Sequence, residues 1–160
     1  MAISPNTTFV IGQVLTSTQA NQFPFGIVAL ASSSTNYTLT TTMTQTTGMT
    51  VSWTAIANRN YKVTYYEPQV TTPSTLSGFS TVKIFENSVA TGPQLQQAFV
   101  QNSAAVQLSG TLTVTYVGTF SAGTRTVIGA ANASSITGTP VANRSALAKS
   151  FLIVEDLGPA

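Results

Sequence analysis

The sequence predicts an all-β chain folded as an antiparallel sandwich or barrel, and three observations predict it. From Gly26 onward apolar residues recur at every second position, the pattern of a pleated surface with one wet face. Turn-forming clusters interrupt these runs roughly every 8–12 residues. Amphipathic windows rich in Ala, Leu, Glu and Lys are absent, while Thr, Val, Tyr and Ile, which favour pleated and half-buried positions, are plentiful. A length of 160 residues suits one domain that buries its own core.

In chain order, residues 1–24 read as an N-terminal docking segment and residues 25–160 as the β-sandwich domain. The docking segment opens extended and ends in a short helix or turn over residues 15–22. Thr16 is placed to cap it and Gln19 follows three residues later, a capping-box spacing. Pro24 closes it by pushing Phe23 out of the helical region. Three strands then declare themselves by alternation. Met49, Val51, Trp53 and Ala55 alternate with Thr50, Ser52 and Thr54. Tyr61, Val63 and Tyr65 alternate with Lys62, Thr64 and Tyr66. Leu112, Val114 and Tyr116 alternate with Thr111, Thr113 and Thr115. Further strands are expected at residues 27–31, 37–43, 79–85, 95–100, 117–121, 125–131 and 150–154. Turns are expected at 32–36, 45–48, 57–60, 70–77, 86–93, 102–105, 122–124 and 132–140. The hydroxyl-rich tract 38–47 contains Leu39 and Met43 and reads as an ordered edge strand rather than a disordered stalk. Phe151-Leu152-Ile153-Val154 is apolar on both faces, so both need cover. Either it is a central strand beneath an outer element, or its second face meets a neighbouring subunit.

Composition removes several functions. There is no Cys and no His, so disulfide scaffolds, Cys/His zinc sites and His- or Cys-based catalysis lack their atoms. Charged residues are 6% of the chain, against about 25% in an average domain, and 28 Thr with 17 Ser do the solvating instead. The pI of about 9.2 reflects few charges rather than a basic patch. Arg59, Lys62, Lys83, Arg125, Arg144 and Lys149 are scattered, which argues against nucleic acid. The first residues carry no basic n-region or long apolar stretch, so no signal peptide is expected. The longest apolar runs are far short of the about 20 residues of a membrane span.

The remaining chemistry is thin. Only Glu67, Glu86, Glu155 and Asp156 could supply a pair of catalytic carboxylates. Glu67 reads as lying at a strand end, and solubility and salt bridging are the roles expected of the four. Glu155 and Asp156 should point to opposite faces, which suits pairing with Arg144 or Lys149 better than calcium chelation. Gly118 to Arg125 has the glycine spacing of a phosphate loop, but Thr124-Arg125 replaces the Lys-Ser/Thr step and a strand follows, so it reads as a hairpin turn. Ser145 and Lys149 do not match a Ser-x-x-Lys nucleophile pair. Four sequons occur, at Asn6, Asn36, Asn132 and Asn143, where so many hydroxyls produce roughly two or three by chance, and without a signal peptide they are expected to be unmodified. Among the aromatics, Trp53 shares the phase of Val51 and Ala55 and belongs to the core. Tyr37 and Tyr66 are the candidate contact residues, and Tyr66 is out of phase with Tyr61, Val63 and Tyr65. No catalytic residue, metal or cofactor is expected.

The segment Phe9-Val10-Ile11-Gly12-Gln13-Val14-Leu15-Thr16, followed by Asn21 and Pro24-Phe25-Gly26, resembles the opening of many minor structural and tail proteins of tailed bacteriophages. Gly48 to Ala55 running on through Asn58 to Val63, and the ending Phe151 to Pro159, are similar in the same order. These pieces leave most of residues 64–150 unmatched, and Asn58-Arg59-Asn60 stands where such proteins often have Gly-Arg. The resemblance implies a non-enzymatic virion component, a minor tail or fibre protein with a jelly-roll head resembling the tumour-necrosis-factor and C1q heads. It implies a homotrimer whose partners are its own copies, other phage structural proteins and a host-surface glycan, with neither nucleic acid nor membrane insertion. The two alternatives are a capsid decoration protein that braces the head and a free carbohydrate-binding module.

Overall fold

A computed structural model describes residues 23–160, so the helix or turn expected at 15–22 lies outside the described residues. The strands are β1 (Gly26–Ser33), β2 (Tyr37–Thr38), β3 (Thr44–Ala55), β4 (Arg59–Thr71), β5 (Phe79–Glu86), β6 (Gln94–Gln101), β7 (Ser109–Thr119), β8 (Gly123–Ala133), β9 (Val141–Asn143) and β10 (Ser150–Pro159). Eight of them form two four-stranded antiparallel sheets, β1-β10-β4-β7 and β3-β8-β5-β6. The short strands β2 and β9 pair with each other and continue the first sheet along β4, past the point where β10 leaves it. The chain crosses repeatedly from one sheet to the other, which winds the sandwich as a jelly roll. The all-β expectation holds.

The alternating strands place their apolar phase inside. Met49, Val51, Trp53 and Ala55 of β3 face Tyr61, Val63 and Tyr65 of β4, and all are buried. Leu112 and Val114, Val82 and Ile84, and Leu152 and Val154 complete the layer. Each buried Val, Leu, Ile or Met among them contributes about 1.5–3 kcal/mol by leaving water. At one end the Trp53 ring meets Phe120 edge-on at 5.0 Å and lies 5.7 Å from Tyr61. Such ring pairs add about 0.5–1.5 kcal/mol beyond area.

Four local expectations are corrected. Residues 45–48 are not a turn but a bulge inside β3, where the register against β8 shifts between Gln45 and Thr50. Gly48 takes φ +77° there, so the strand kinks and continues. Residues 37–43 are not one edge strand. Only Tyr37 and Thr38 pair, after which Leu39 plunges into the core and Thr40 turns back on the carbonyl of Thr42. Residues 117–121 are not a strand of their own, because Val117 to Thr119 finish β7. The glycine-spaced segment Gly118 to Arg125 is not a hairpin: β7 belongs to one sheet and β8 to the other, and buried Phe120 anchors the crossing.

β10 runs between β1 and β4, so the doubly apolar segment is a central strand. Leu152 and Val154 face the core, while Phe151 and Ile153 are half-buried on the outer face. Phe151 is covered there by the Tyr66 ring, stacked at 4.8 Å.

Candidate functional site

The placement of charge is the most informative feature of the molecule. Of its ten charged side chains, eight lie on the four interior strands β4, β5, β8 and β10. The other two, Arg144 and Lys149, sit between β9 and β10. Among the described residues, the edge strands β1, β2, β3, β6 and β7 carry none. Free-standing β proteins commonly guard their edges with charges, lysine above all, because an open edge templates pairing with another chain.

Every side-chain carboxylate is answered by a cation. Asp156 pairs with Arg59 at 2.7 Å, Glu155 with Lys62 at 2.9 Å and Glu86 with Arg125 at 3.4 Å, while Glu67 holds Arg144. Glu155 and Asp156 do point to opposite faces, but their partners are Lys62 and Arg59 rather than Arg144 or Lys149. Glu67 is not at a strand end either: it lies within β4, fully buried. The Arg59 guanidinium also donates to the carbonyl of Phe23 at 2.6 Å and stacks on the Phe25 ring at 4.2 Å, tying down the chain where it enters the sandwich. The net charge of +2 therefore rests on Lys83 and Lys149, the two lysines without a carboxylate partner among the described residues.

The Glu67–Arg144 pair sits in a polar pocket of the core. Arg144 Nε donates to Glu67 Oε2 at 3.0 Å, and its Nη1 reaches the Thr47 carbonyl at 2.9 Å. The Tyr65 hydroxyl donates to Glu67 and meets the Thr46 hydroxyl at 2.7 Å. Burial would lower the basicity of Arg144, but its hydrogen bonds to Glu67 and the nearby charge outweigh this and raise it. Burial first, and the Glu67 charge second, push the Tyr65 phenol well above the ordinary value of 10.0. Unfolded, that phenol ionises near 10, while the folded state keeps its proton to higher pH. Its contribution to stability is thus complete below about pH 10 and falls as pH rises through the folded value. Urea melts between about pH 8 and about pH 11 should show this alkaline loss, and Tyr65→Phe should flatten it. An unchanged slope in Tyr65→Phe would assign the loss to other groups.

Two outer surfaces remain. The outer face of β1-β10-β4-β7 carries Ile27, Leu30 and Val117, exposed by 60%, 58% and 56%, around the half-buried Phe151, Ile153 and Tyr66. Register rows place Leu30 beside Ile153 and Phe151 beside Tyr66. Lys62 and Glu155, opposite each other in the same register, neutralise one another on this face. Tyr66, one of the two aromatic candidates, is therefore part of an apolar sheet face. Tyr37, the other, is half-buried against the core with its hydroxyl bonded to that of Thr44. The structure does not bring the two tyrosines into one site.

The second surface was missed by reading the sequence. On the outer face of β3-β8-β5-β6, Phe79, Thr81 and Lys83 of β5 lie beside Gln101, Phe99 and Gln97 of β6. Asn132 of β8 pairs with Thr81. Together with Met43 they enclose a groove of about 490 Å³. The signal was present: Phe79 shares the phase of Thr81 and Lys83, an aromatic ring on the wet side of a strand. Compared with known proteins, the chain matches no family model and no curated relative.

Proposed function

We propose that this chain is a non-enzymatic structural subunit of a tailed-bacteriophage particle, a minor tail or fibre component that assembles as a homotrimer. One observation carries the reading: among the described residues the edge strands are free of charge, while the charges present lie inside the sheets or against one another. A monomer in solution gains by guarding its edges. A subunit that packs against copies of itself gains by the reverse, because desolvating charges at a contact is costly. The outer face of β1-β10-β4-β7 fits such a contact, being apolar at its centre, neutral in sum and bordered by the hydroxyls of β7. The jelly roll is compatible with this role, being an architecture of capsid and lectin domains, and the resemblance of both chain ends to phage tail proteins supplies the particle.

Native mass spectrometry of the purified chain tests the proposal, with three subunits expected. Leu30 lies on an edge strand and is 58% exposed, so Leu30→Lys should leave the fold intact and shift the mass toward a single chain. A wild type that stays monomeric at high concentration would overturn the reading. Immunogold labelling of intact particles places the subunit. Label at the tail is expected, and label at the head would favour the decoration role instead.

A further inference from the structure

We propose that the groove between Phe79 and Phe99 binds an acidic saccharide, a sugar ring bearing a carboxylate. Phe79 and Phe99 are diagonal neighbours across β5 and β6, exposed by 39% and 58%. Two open rings on one pleated face present flat apolar surface that water solvates poorly, and the C–H face of a pyranose covers such surface well. Around the rings stand polar groups with capacity to spare. Gln101 donates its amide to the Ser77 carbonyl at 3.3 Å, leaving its own oxygen to accept. Asn132 donates to the Thr41 carbonyl at 3.1 Å and likewise keeps its oxygen. Gln97 accepts from Gln94 at 3.4 Å and keeps its NH2 group to donate. A ligand offering hydroxyls in several directions matches that mixture of donors and acceptors.

Lys83 fixes the sign of the ligand. Its ammonium donates to Gln94 Oε1 at 2.7 Å and has further protons to give, and every side-chain carboxylate of the chain is engaged by another cation. A lone cation beside two rings and a set of amides calls for one negative charge on a hydroxyl-bearing ring. A polyanion such as nucleic acid would need several cations in a row, and an apolar peptide would leave the amides unanswered. The inference deepens the reading of the chain as a particle component and rests on it only for where the sugar comes from, a cell surface. The chemistry of the groove stands apart from assembly.

The test is a panel of uronic-acid-containing oligosaccharides and their carboxyl-reduced, neutral counterparts, titrated against the full chain by calorimetry. Acidic members are expected to bind, and more weakly as salt rises. Phe99→Ala should weaken binding by about tenfold or more. Lys83→Gln should remove the preference for the acidic form over the reduced one. Both side chains sit on the surface, so unchanged melting of the variants separates lost binding from lost folding. No binding by any acidic member, equal binding of acidic and reduced forms, or an unchanged affinity in Phe99→Ala would each overturn the proposal. Native mass spectra of the same samples keep the two readings apart: a monomer that binds acidic sugars sinks assembly alone, and a trimer that binds none sinks the groove alone.

Discussion

Glu67→Ala should lower the unfolding free energy by about 3–5 kcal/mol, the cost of stranding one partner of a buried ion pair. Both side chains of the Glu67–Arg144 pair are shielded completely from solvent. With the carboxylate gone, the guanidinium keeps only its carbonyl partners, and the Tyr65 hydroxyl loses its acceptor. In a domain whose whole stability is about 5–15 kcal/mol, such a loss approaches unfolding. Two companions locate the cause. Glu67→Gln keeps the shape and an acceptor, so it should cost less than the truncation. Replacing both residues by Met should recover much of the loss, because an apolar pair has no charge to strand. Urea melts at one fixed chain concentration give these values, since association would make stability depend on concentration. A loss under about 1 kcal/mol for Glu67→Ala would mean that water reaches the pair.

Trp53→Ala should cost about 3–5 kcal/mol, by lost burial and the cavity left beside Phe120 and Tyr61. The indole is only 6% exposed, yet its Nε1 is buried with no hydrogen-bond partner among the described residues. Such an orphan donor is a standing penalty of about 1–3 kcal/mol. Trp53→Phe removes the donor and keeps most of the ring, so it should cost far less than the alanine change. Denaturant midpoints of the two variants decide this. Equal losses would show that the smaller ring restores none of the packing lost with the indole.

Much of the fold was legible in the sequence because a sandwich strand with one wet face writes its geometry into a period of two. Residues 49–55, 61–65 and 112–116 obey that period, and their buried phase is the one the alternation names. What could not be read is what depends on residues distant in the chain. Gly48 looks like a turn in isolation, and only the register of β8 makes it a kink within a strand. Gly118 to Arg125 looks like a hairpin, because a tight turn and a crossing between sheets use similar residues. Glu67 and Arg144 meet across 77 positions of sequence, so no local pattern announces their pairing. The groove was half visible: the wet phase of β5 could be read, but Asn132 joins it only through β8.

The placement of β10 has a consequence for how the protein is made. β10 fills the gap between β1 and β4, both of which lie far before it in sequence. During synthesis neither neighbour can complete its hydrogen bonds on that side until residues 150–159 have left the ribosome. Until then β4 and the uncharged β1 wait with unpaired backbone, a state that favours mispairing between nascent chains. Closure of the first sheet therefore waits on a strand distant in sequence rather than on local propensity.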